Sequence, residues 1–319
     1  MRNPHVLVIV PFREHHMEAL RAAAPEASFT QAVGVTREEL ATLLSTSDVV
    51  VGEPPVECLP ATPVRWVQMT WAGSDMYTRA ATPWPSGITL TNVAGAAYGH
   101  TISQYVMGQV LALMQNLPTY VRQQEREVWQ DVGEVASLEG ACVLIFGTGD
   151  IGTCTARRLA GFETKRIVGV CRNTSAPREG FTELVALDEA EEWLPRADVV
   201  ISCLPNTPET QGYLCERRLR MMREGSVLVN VGRGNFVDCD ALARILAEGA
   251  IRGAALDVTN PEPLPPAHPL WHEPRCVITP HASGGAFGKS AGTENRICAV
   301  TCDNLRHFVH DEPLEHVVL

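Results

Sequence analysis

Three polar side chains, an arginine, a glutamate and a histidine, stand in segments whose neighbours would hold them rigidly. Arg233 is flanked by glycines, Glu262 stands between two prolines, and His281 follows Pro280. A guanidinium can bind a carboxylate through two parallel hydrogen bonds, and a histidine beside an acid can transfer a proton. Taken singly, each residue could be a surface arginine, a loop acid or a capping histidine. Because all three follow predicted strands of one sheet, we interpret them as a preorganised catalytic site.

Residues 147–152 read Gly-Thr-Gly-Asp-Ile-Gly, between a buried apolar run and a helical pattern. In such a turn the first glycine permits a tight bend and the second lets the backbone approach a pyrophosphate. The third lets the helix pack on the strand, and the amides at the helix start face the phosphates. An ordinary glycine-rich turn is the alternative. The strand–turn–helix context favours a dinucleotide-binding site.

The residue types after the second strand of this predicted domain bear on the choice of cofactor. NAD-preferring sites place an Asp or Glu about 20 residues beyond the glycines, where it binds the ribose 2′-hydroxyl. This chain has Val-Cys-Arg-Asn-Thr-Ser at 170–175 and no acid there. Arg172 could pair with the 2′-phosphate of NADP. We therefore predict that NADP(H) is preferred and that NAD(H) is possible if Arg172 is merely solvated.

The first hundred residues alternate apolar runs with helical patterns. Strands are predicted at 6–10, 48–51, 64–69 and 88–91, and helices at 14–24 and 36–44. The second helix opens with a capping box, in which Thr36 is followed three residues later by Glu39. Strands separated by helices indicate a parallel sheet.

A long helix at 99–114, with Tyr105 among its apolar residues, leads into a polar arm that ends near Asp131. A second alternating series follows. Its strands are predicted at 141–146, 166–170, 199–203, 226–230, 253–257 and 276–279, and its helices at 151–161, 189–194, 216–222 and 240–248. A last helix at 288–308 would return the chain to the first domain. The expected fold is α/β, with two doubly wound parallel-sheet domains and a cleft between them. Residues 1–98 plus 289–319 would form a flavodoxin-like substrate domain, and 99–288 a Rossmann cofactor domain with a dimerisation helix and arm at about 100–131.

Composition limits the partners. The 319 residues carry a formal net charge of −11, which argues against nucleic acid, because phosphate-backbone binders concentrate basic residues on one face. The early apolar run at 6–10 is far shorter than the roughly 18 residues of a membrane span. The ten cysteines contain no CxxC spacing and suit a reducing compartment. A cytoplasmic protein without a metal site or a membrane partner is expected.

Longer motifs extend over nearly the whole chain. Residues 203–210 read CLPNTPET, residues 231–234 read VGRG, and Asp257 leads to Glu262-Pro263 and then to HPLW at 268–271. Thr279-Pro280-His281 follows, and the loop WAGSD stands at 71–75. With these motifs the chain resembles the D-isomer-specific 2-hydroxyacid dehydrogenases.

The resemblance implies a role for each candidate residue. Arg233 would hold the carboxylate of a 2-oxo acid and polarise its carbonyl, while the backbone amides of Ala72 and Gly73 take the other carboxylate oxygen. His281 would give a proton to the developing alkoxide as hydride reaches C2, or act as the base in the reverse direction. Glu262 would bond the far side of the imidazole, where its charge favours the protonated ring.

The resemblance also implies the cofactor-binding set. It comprises Gly147, Thr148, Gly149, Asp150, Ile151, Gly152, Arg172, Asn173, Leu204, Pro205, Thr210, Val231, Gly232, Arg233, Asp257, His281 and Gly284. Asp257 resembles the contact to the nicotinamide amide. Gln104 departs from the Glu that many members carry, which would alter a helix or interface contact. The arm implies a homodimer.

The substrate is less sharply defined than the family. A glutamate at 262 disfavours a formate dehydrogenase, which carries Gln there. A glyoxylate/hydroxypyruvate reductase or a reductase of a broader range of 2-oxo acids remains, and the loop at 52–55, Trp71 and Tyr98 could shape the pocket. The alternative in another class is an NAD(P)H-sensing regulatory or corepressor-like protein on the same fold. The Arg233, Glu262 and His281 set argues against it, because a sensor has no need for a positioned acid.

Overall fold

Five short strands form the first sheet of the protein. A computed structural model describes residues 3–319 of the chain. The strands are β1 (His5–Val8), β2 (Ser28–Gln31), β3 (Val49–Val51), β4 (Trp66–Gln68) and β5 (Thr89–Thr91). All pair in parallel, in the order β2-β1-β3-β4-β5, which is the flavodoxin-like order. β2 is absent from the predicted strands because its sequence, Ser-Phe-Thr-Gln, is polar and lies at an exposed edge.

Helices cover this sheet by burying one apolar stripe each. α1 (Glu14–Ala23) buries Met17 and Leu20 and packs against the last helix of the chain, Ala291–Val309. α2 (Arg37–Leu44) begins at the predicted capping box, which is confirmed by reciprocal hydrogen bonds between Thr36 and Glu39. A short helix, α3, spans Asp75–Thr78.

Internal contacts divide the chain into two units. One contains the chain up to Tyr98 together with Gly285–Leu319, and the other contains Gly99–Gly284. The chain therefore returns to the first unit at Gly285, four residues before the predicted boundary at residue 289. The C-terminal end joins the first unit through β5, where the amide of Leu90 donates to the carbonyl of Leu319 at 2.8 Å.

Seven parallel strands form the sheet of the second unit. They are β6 (Cys142–Phe146), β7 (Arg166–Val170), β8 (Glu183–Val185), β9 (Val199–Ser202), β10 (Val227–Asn230), β11 (Gly253–Leu256) and β12 (Cys276–Ile278). Their order is β12-β11-β10-β9-β6-β7-β8. The direction of winding reverses between β6 and β9, and open α/β sheets bind ligands beside such a switch point. β8 escapes sequence prediction because it is a three-residue edge strand with one buried side chain.

The helices of the second unit are α4 (Gly99–Met114), α5 (Leu117–Glu125), α6 (Asp150–Leu159), α7 (Glu216–Leu219) and α8 (Cys239–Glu248). All but α5, which lies in the predicted polar arm, correspond to predicted helices. The last helix of the chain, Ala291–Val309, is α9 and belongs to the first unit. The helix predicted at 189–194 is a 3₁₀ helix, Ala190–Arg196, which contains Pro195; proline cannot donate the hydrogen bond that an α-helix requires. Gly249 ends α8 at φ +76°. Among residues 3–319, no helix combines the length and apolar character needed to cross a membrane.

Candidate active site

The glycine-rich turn after β6 has the backbone that each glycine was predicted to supply. Gly147 lies at φ +103°, and its amide donates to the Val170 carbonyl at 3.0 Å. A Cβ on Gly152 would lie 1.9 Å from the Gly147 oxygen, so no side chain fits there. A Cβ on Gly149 would have no protein atom within 4 Å.

The open position at Gly149 lies directly before α6. The first amides of any α-helix have no acceptor within the helix, and the helix dipole makes this end favourable for anions. The turn therefore fits a dinucleotide pyrophosphate, with backbone rather than side chains as its cradle.

Asp150, the first residue of α6, connects this turn to α4. Its Oδ2 accepts from the Gly99 amide at 2.6 Å, so the carboxylate caps the start of α4. Thr148 is buried, and its carbonyl accepts from the Thr153 hydroxyl at 3.1 Å. The Thr148 carbonyl and the Asp150 carboxylate thus hold the turn, while Gly149 between them is exposed.

The loops after β9 and β10 approach the glycine-rich turn. A Cβ on Gly147 would touch the Cys203 backbone at 3.4 Å, and one on Gly232 would lie 2.5 Å from the Leu204 oxygen. The Thr210 hydroxyl ties the first of these loops together, since it donates to the Pro205 carbonyl at 2.8 Å and accepts from the Thr207 amide at 2.9 Å. The amide of Val231 donates to the Ser202 carbonyl at 2.9 Å. The structure therefore brings together most of the predicted cofactor residues: Gly147, Thr148, Gly149, Asp150, Ile151, Gly152, Leu204, Pro205, Thr210, Val231 and Gly232.

Arg172 and Asn173 lie after β7, and both are exposed. The Asn173 amide oxygen accepts from the backbone and hydroxyl of Ser175 at 3.1 and 2.7 Å, which fixes the turn. The pKa of the Glu209 carboxyl is lowered, mainly by a hydrogen bond from Thr207 and to a lesser degree by the charge of Arg172. Arg172 therefore lies close enough to the loop after β9 to act on it electrostatically.

Arg233 follows β10 in a backbone held by the last residue of that strand. Asn230 accepts from the Gly232 amide at 3.1 Å and donates to the Arg233 carbonyl at 3.0 Å. A Cβ on Gly234 would lie 1.9 Å from the Thr259 oxygen, so the glycine allows this loop to contact the one after β11. The Arg233 guanidinium donates to the Gly232 carbonyl at 2.9 Å and is half-buried.

The predicted histidine–glutamate pair is formed. His281 Nδ1 lies 2.8 Å from Glu262 Oε1, and the two side chains are 52% and 44% exposed. A carboxylate oxygen only accepts, so Nδ1 carries the proton in this bond and Nε2 is the nitrogen left to meet a substrate. Both residues are accessible to a small molecule.

Asp257, predicted as a nicotinamide contact, makes contacts within the protein. It is 1% exposed, and its carboxylate accepts from the Ala282 amide at 2.8 Å and the Ser283 amide at 3.1–3.2 Å. Gly284 follows directly and ends the second unit. The structure thus gives Asp257 a role in holding the turn that carries His281, and its contact to a nicotinamide stays a prediction.

Ala72 and Gly73 belong to the first unit, in the loop between β4 and α3. Glu53 Oε1 accepts from the amides of Thr70 and Trp71 at 2.7 and 3.2 Å, and Asn92 donates to the Ala72 carbonyl at 2.9 Å. Burial raises the pKa of the Glu53 carboxyl, which hydrogen bonds from Thr70 and Trp71 partly oppose.

Tyr98 also supports this loop. Its hydroxyl donates to the Thr70 carbonyl at 3.0 Å, so Tyr98 and Glu53 organise the loop from within the unit. This supporting role could not be predicted from the sequence. Glu53 precedes Thr70 by 17 residues and Tyr98 follows it by 28, and no motif joins the three.

Known proteins resemble this chain in sequence and in structure. Residues 107–283 match the family model for the NAD-binding domain of D-isomer-specific 2-hydroxyacid dehydrogenases. A curated relative, an uncharacterised protein encoded in the mprR 3′ region of Streptomyces coelicolor, is 38% identical over 78% of this chain and 88% of its own.

Two solved structures cover nearly the whole chain. A D-isomer-specific 2-hydroxyacid dehydrogenase family protein from Aeromonas salmonicida subsp. salmonicida A449 is 31% identical with a TM-score of 0.85, over 99% of both chains. A D-isomer-specific 2-hydroxyacid dehydrogenase from Xanthobacter autotrophicus Py2, solved with NADPH and MES, is 25% identical with a TM-score of 0.80, over 99% of this chain and 98% of its own. The protein is therefore a member of the D-isomer-specific 2-hydroxyacid dehydrogenase family, with two parallel-sheet α/β units and an NAD-binding domain.

Proposed function

We propose that the protein reduces a 2-oxo acid to the D-2-hydroxy acid with NADPH. The observation that carries the proposal is the 2.8 Å contact between His281 Nδ1 and Glu262 Oε1, in the same unit as Arg233 and the glycine-rich turn. A positioned and accessible proton donor is what carbonyl reduction requires of the protein.

Each residue would act on a different part of the substrate. NADPH supplies the hydride that C2 of the 2-oxo acid receives. His281 gives the proton from Nε2 to the carbonyl oxygen, while Glu262 holds the ring through Nδ1. Arg233 binds the carboxylate and polarises the carbonyl. The products are the 2-hydroxy acid and NADP⁺, so one hydride and one proton balance the reaction.

The proposed substrates are short 2-oxo acids, with glyoxylate and hydroxypyruvate first and a broader range of 2-oxo acids next. The test is to follow NADPH and then NADH by absorbance with glyoxylate, hydroxypyruvate, pyruvate and phenylpyruvate. We expect rapid oxidation of NADPH with at least one acid. Cofactor binding without turnover on any of them would instead favour an NAD(P)H-sensing protein.

The NADPH preference is proposed to depend on Arg172, which is exposed beside the loop after β9. Removing one charged hydrogen-bond partner costs roughly 1.5–3 kcal/mol, so we expect Arg172→Ala to raise the NADPH Kd about tenfold or more. The NADH Kd should stay unchanged, because NADH has no 2′-phosphate. Fluorescence titration measures both constants.

The control for this charge removal is Arg21→Ala, at an exposed arginine of the first unit. It should leave both constants unchanged. An Arg172→Ala protein that binds NADPH as tightly as the wild type would contradict the assignment.

A homodimer is proposed through the surface of α5 and the segment after it. Leu117, Val121 and Trp129 are 50%, 55% and 104% exposed, and Leu117 and Val121 line a groove of about 470 Å³ with Trp271. Apolar groups exposed together favour an interface.

Sedimentation equilibrium is expected to give about twice the chain mass of 34.7 kDa, and Val121→Glu to give the monomer. Val33→Glu, at another exposed valine, should stay dimeric; a wild-type monomer would refute the proposal.

A further inference from the structure

His281 lies in a turn that converges on one residue. Its backbone has φ +50°, in the left-handed region that residues other than glycine rarely adopt. The His281 amide donates to the Asp257 carbonyl at 2.8 Å. The next two amides, of Ala282 and Ser283, donate to the Asp257 carboxylate. Because three consecutive amides end on Asp257, the direction in which the imidazole leaves the backbone depends on the position of that residue.

The hydroxyl groups of Tyr105 and Thr279 form a series of hydrogen bonds, here called the hydroxyl chain, that ends on the Asp257 carboxylate. Thr279 donates to Asp257 Oδ1 at 2.6 Å, and the Tyr105 hydroxyl lies 2.7 Å from Thr279 Oγ1. A threonine hydroxyl has one proton, which is already directed at the carboxylate, so Tyr105 must donate to Thr279. Burial raises the pKa of Tyr105 to about 12, so the phenol keeps its proton at neutral pH.

The hydroxyl chain joins parts of the second unit that are far apart in sequence. Tyr105 lies in α4, and Thr279 directly follows β12 and is 174 residues away. Thr279 also precedes His281 by only two residues, so its hydroxyl acts at the start of the turn that Asp257 closes. The turn that carries His281 is thereby held both by its backbone amides, which bind Asp257, and by Tyr105 of α4.

We infer that Thr279 and Tyr105 are positioning residues that hold His281 in its proton-donating orientation through the hydroxyl chain to Asp257. The inference rests on the proposed reductase function. The His281 side chain is half exposed, and among residues 3–319 its ring has one hydrogen-bond partner, Glu262, so the turn beneath it must supply much of its orientation. If the hydroxyls only satisfied buried polar groups, their removal would lower stability and leave the proton transfer intact.

The test compares two substitutions of Thr279 in the full-length protein. Thr279→Val keeps the shape and removes the hydroxyl, whereas Thr279→Ser keeps the hydroxyl. Because small misplacements of catalytic groups can cost about 10²-fold in rate, we expect kcat of Thr279→Val to fall about ten- to a hundredfold, with the NADPH Kd unchanged. Thr279→Ser should restore most of the loss.

Tyr105→Phe tests the second hydroxyl without disturbing Thr279 itself, and we expect a smaller fall in kcat. Tyr213→Phe is its control, because Tyr213 also loses a hydrogen bond, to the Leu187 carbonyl at 3.0 Å, and takes no part in the hydroxyl chain to Asp257. Wild-type kcat in Thr279→Val, or an equal loss in Thr279→Ser, would overturn the inference.

An NMR spectrum of labelled histidine separates this inference from the proposed function. The signal of His281 is assigned by its absence in His281→Asn. We expect this signal to shift in Thr279→Val and to keep its wild-type position in Thr279→Ser. If the wild type reduces no 2-oxo acid, the proposed function fails, while the NMR signal still tests the positioning. A His281 signal unchanged in Thr279→Val would overturn the inference.

Discussion

Replacing His281 with alanine is expected to lower kcat by about 10²–10⁴-fold, the usual contribution of general acid–base catalysis. The imidazole is the proton donor of the proposed reaction, and its Nδ1 is held by Glu262 at 2.8 Å. Alanine leaves the developing alkoxide without a donor. The NADPH Kd should change little, because the turn proposed to cradle the pyrophosphate lies in the loop after β6. Single-turnover oxidation of NADPH, followed by absorbance, measures the loss directly.

Two further variants test whether this loss of rate arises in the proton transfer. Glu262→Gln keeps a hydrogen-bond partner for the ring but removes its charge, so we expect a rate between those of the wild type and His281→Ala. His272→Ala removes another exposed histidine of the second unit and should keep the wild-type rate. A His281→Ala enzyme with a nearly wild-type single-turnover rate would show that another group, or water, donates the proton.

Most strands of the second unit could be predicted because parallel strands buried on both faces appear as continuous apolar runs. β6, β9 and β10 are of this kind, and each differs from its predicted range by one residue at one end. β2 and β8 lie at the sheet edges, where half-exposed strands lack that pattern. Local sequence therefore identified the interior of each sheet better than its margins.

In the candidate site, too, local features could be predicted from the sequence and contacts between distant residues could not. The glycine-rich turn could be predicted from a short motif in its strand–turn–helix context, and the Glu262–His281 pair from the resemblance to the dehydrogenase family. The support beneath them could not be predicted, because Tyr105 reaches Thr279 across 174 residues. A tyrosine on the apolar face of α4 looks the same in sequence whether its hydroxyl has a partner or not. Only the packing of α4 in the second unit shows the partner.

Alanine at Gly152 is expected to lower stability far more than alanine at Gly149, although the two glycines belong to one turn. A Cβ at Gly152 would lie 1.9 Å from the Gly147 carbonyl oxygen, so the backbone of α6 must move. Overpacking of this kind costs about 1–3 kcal/mol or more, and Gly152→Ala should unfold at a clearly lower temperature. Gly149 has φ −76°, which alanine adopts readily, and an added Cβ would contact no protein atom. Gly149→Ala should therefore lose little stability, at most the roughly 1 kcal/mol of a poorer helix N-cap.

The same methyl group at Gly149 would occupy the space into which a pyrophosphate must come to meet the first amides of α6. We expect the NADPH Kd of Gly149→Ala to rise at least about tenfold, a loss of roughly 1.4 kcal/mol of binding free energy. Thermal unfolding and fluorescence titration measure the two quantities on the same samples. Gly161→Ala, at another open glycine, should change neither. If Gly149→Ala bound NADPH with wild-type affinity, the phosphates would have to lie elsewhere, because the added methyl group would occupy the space that the proposed pyrophosphate needs.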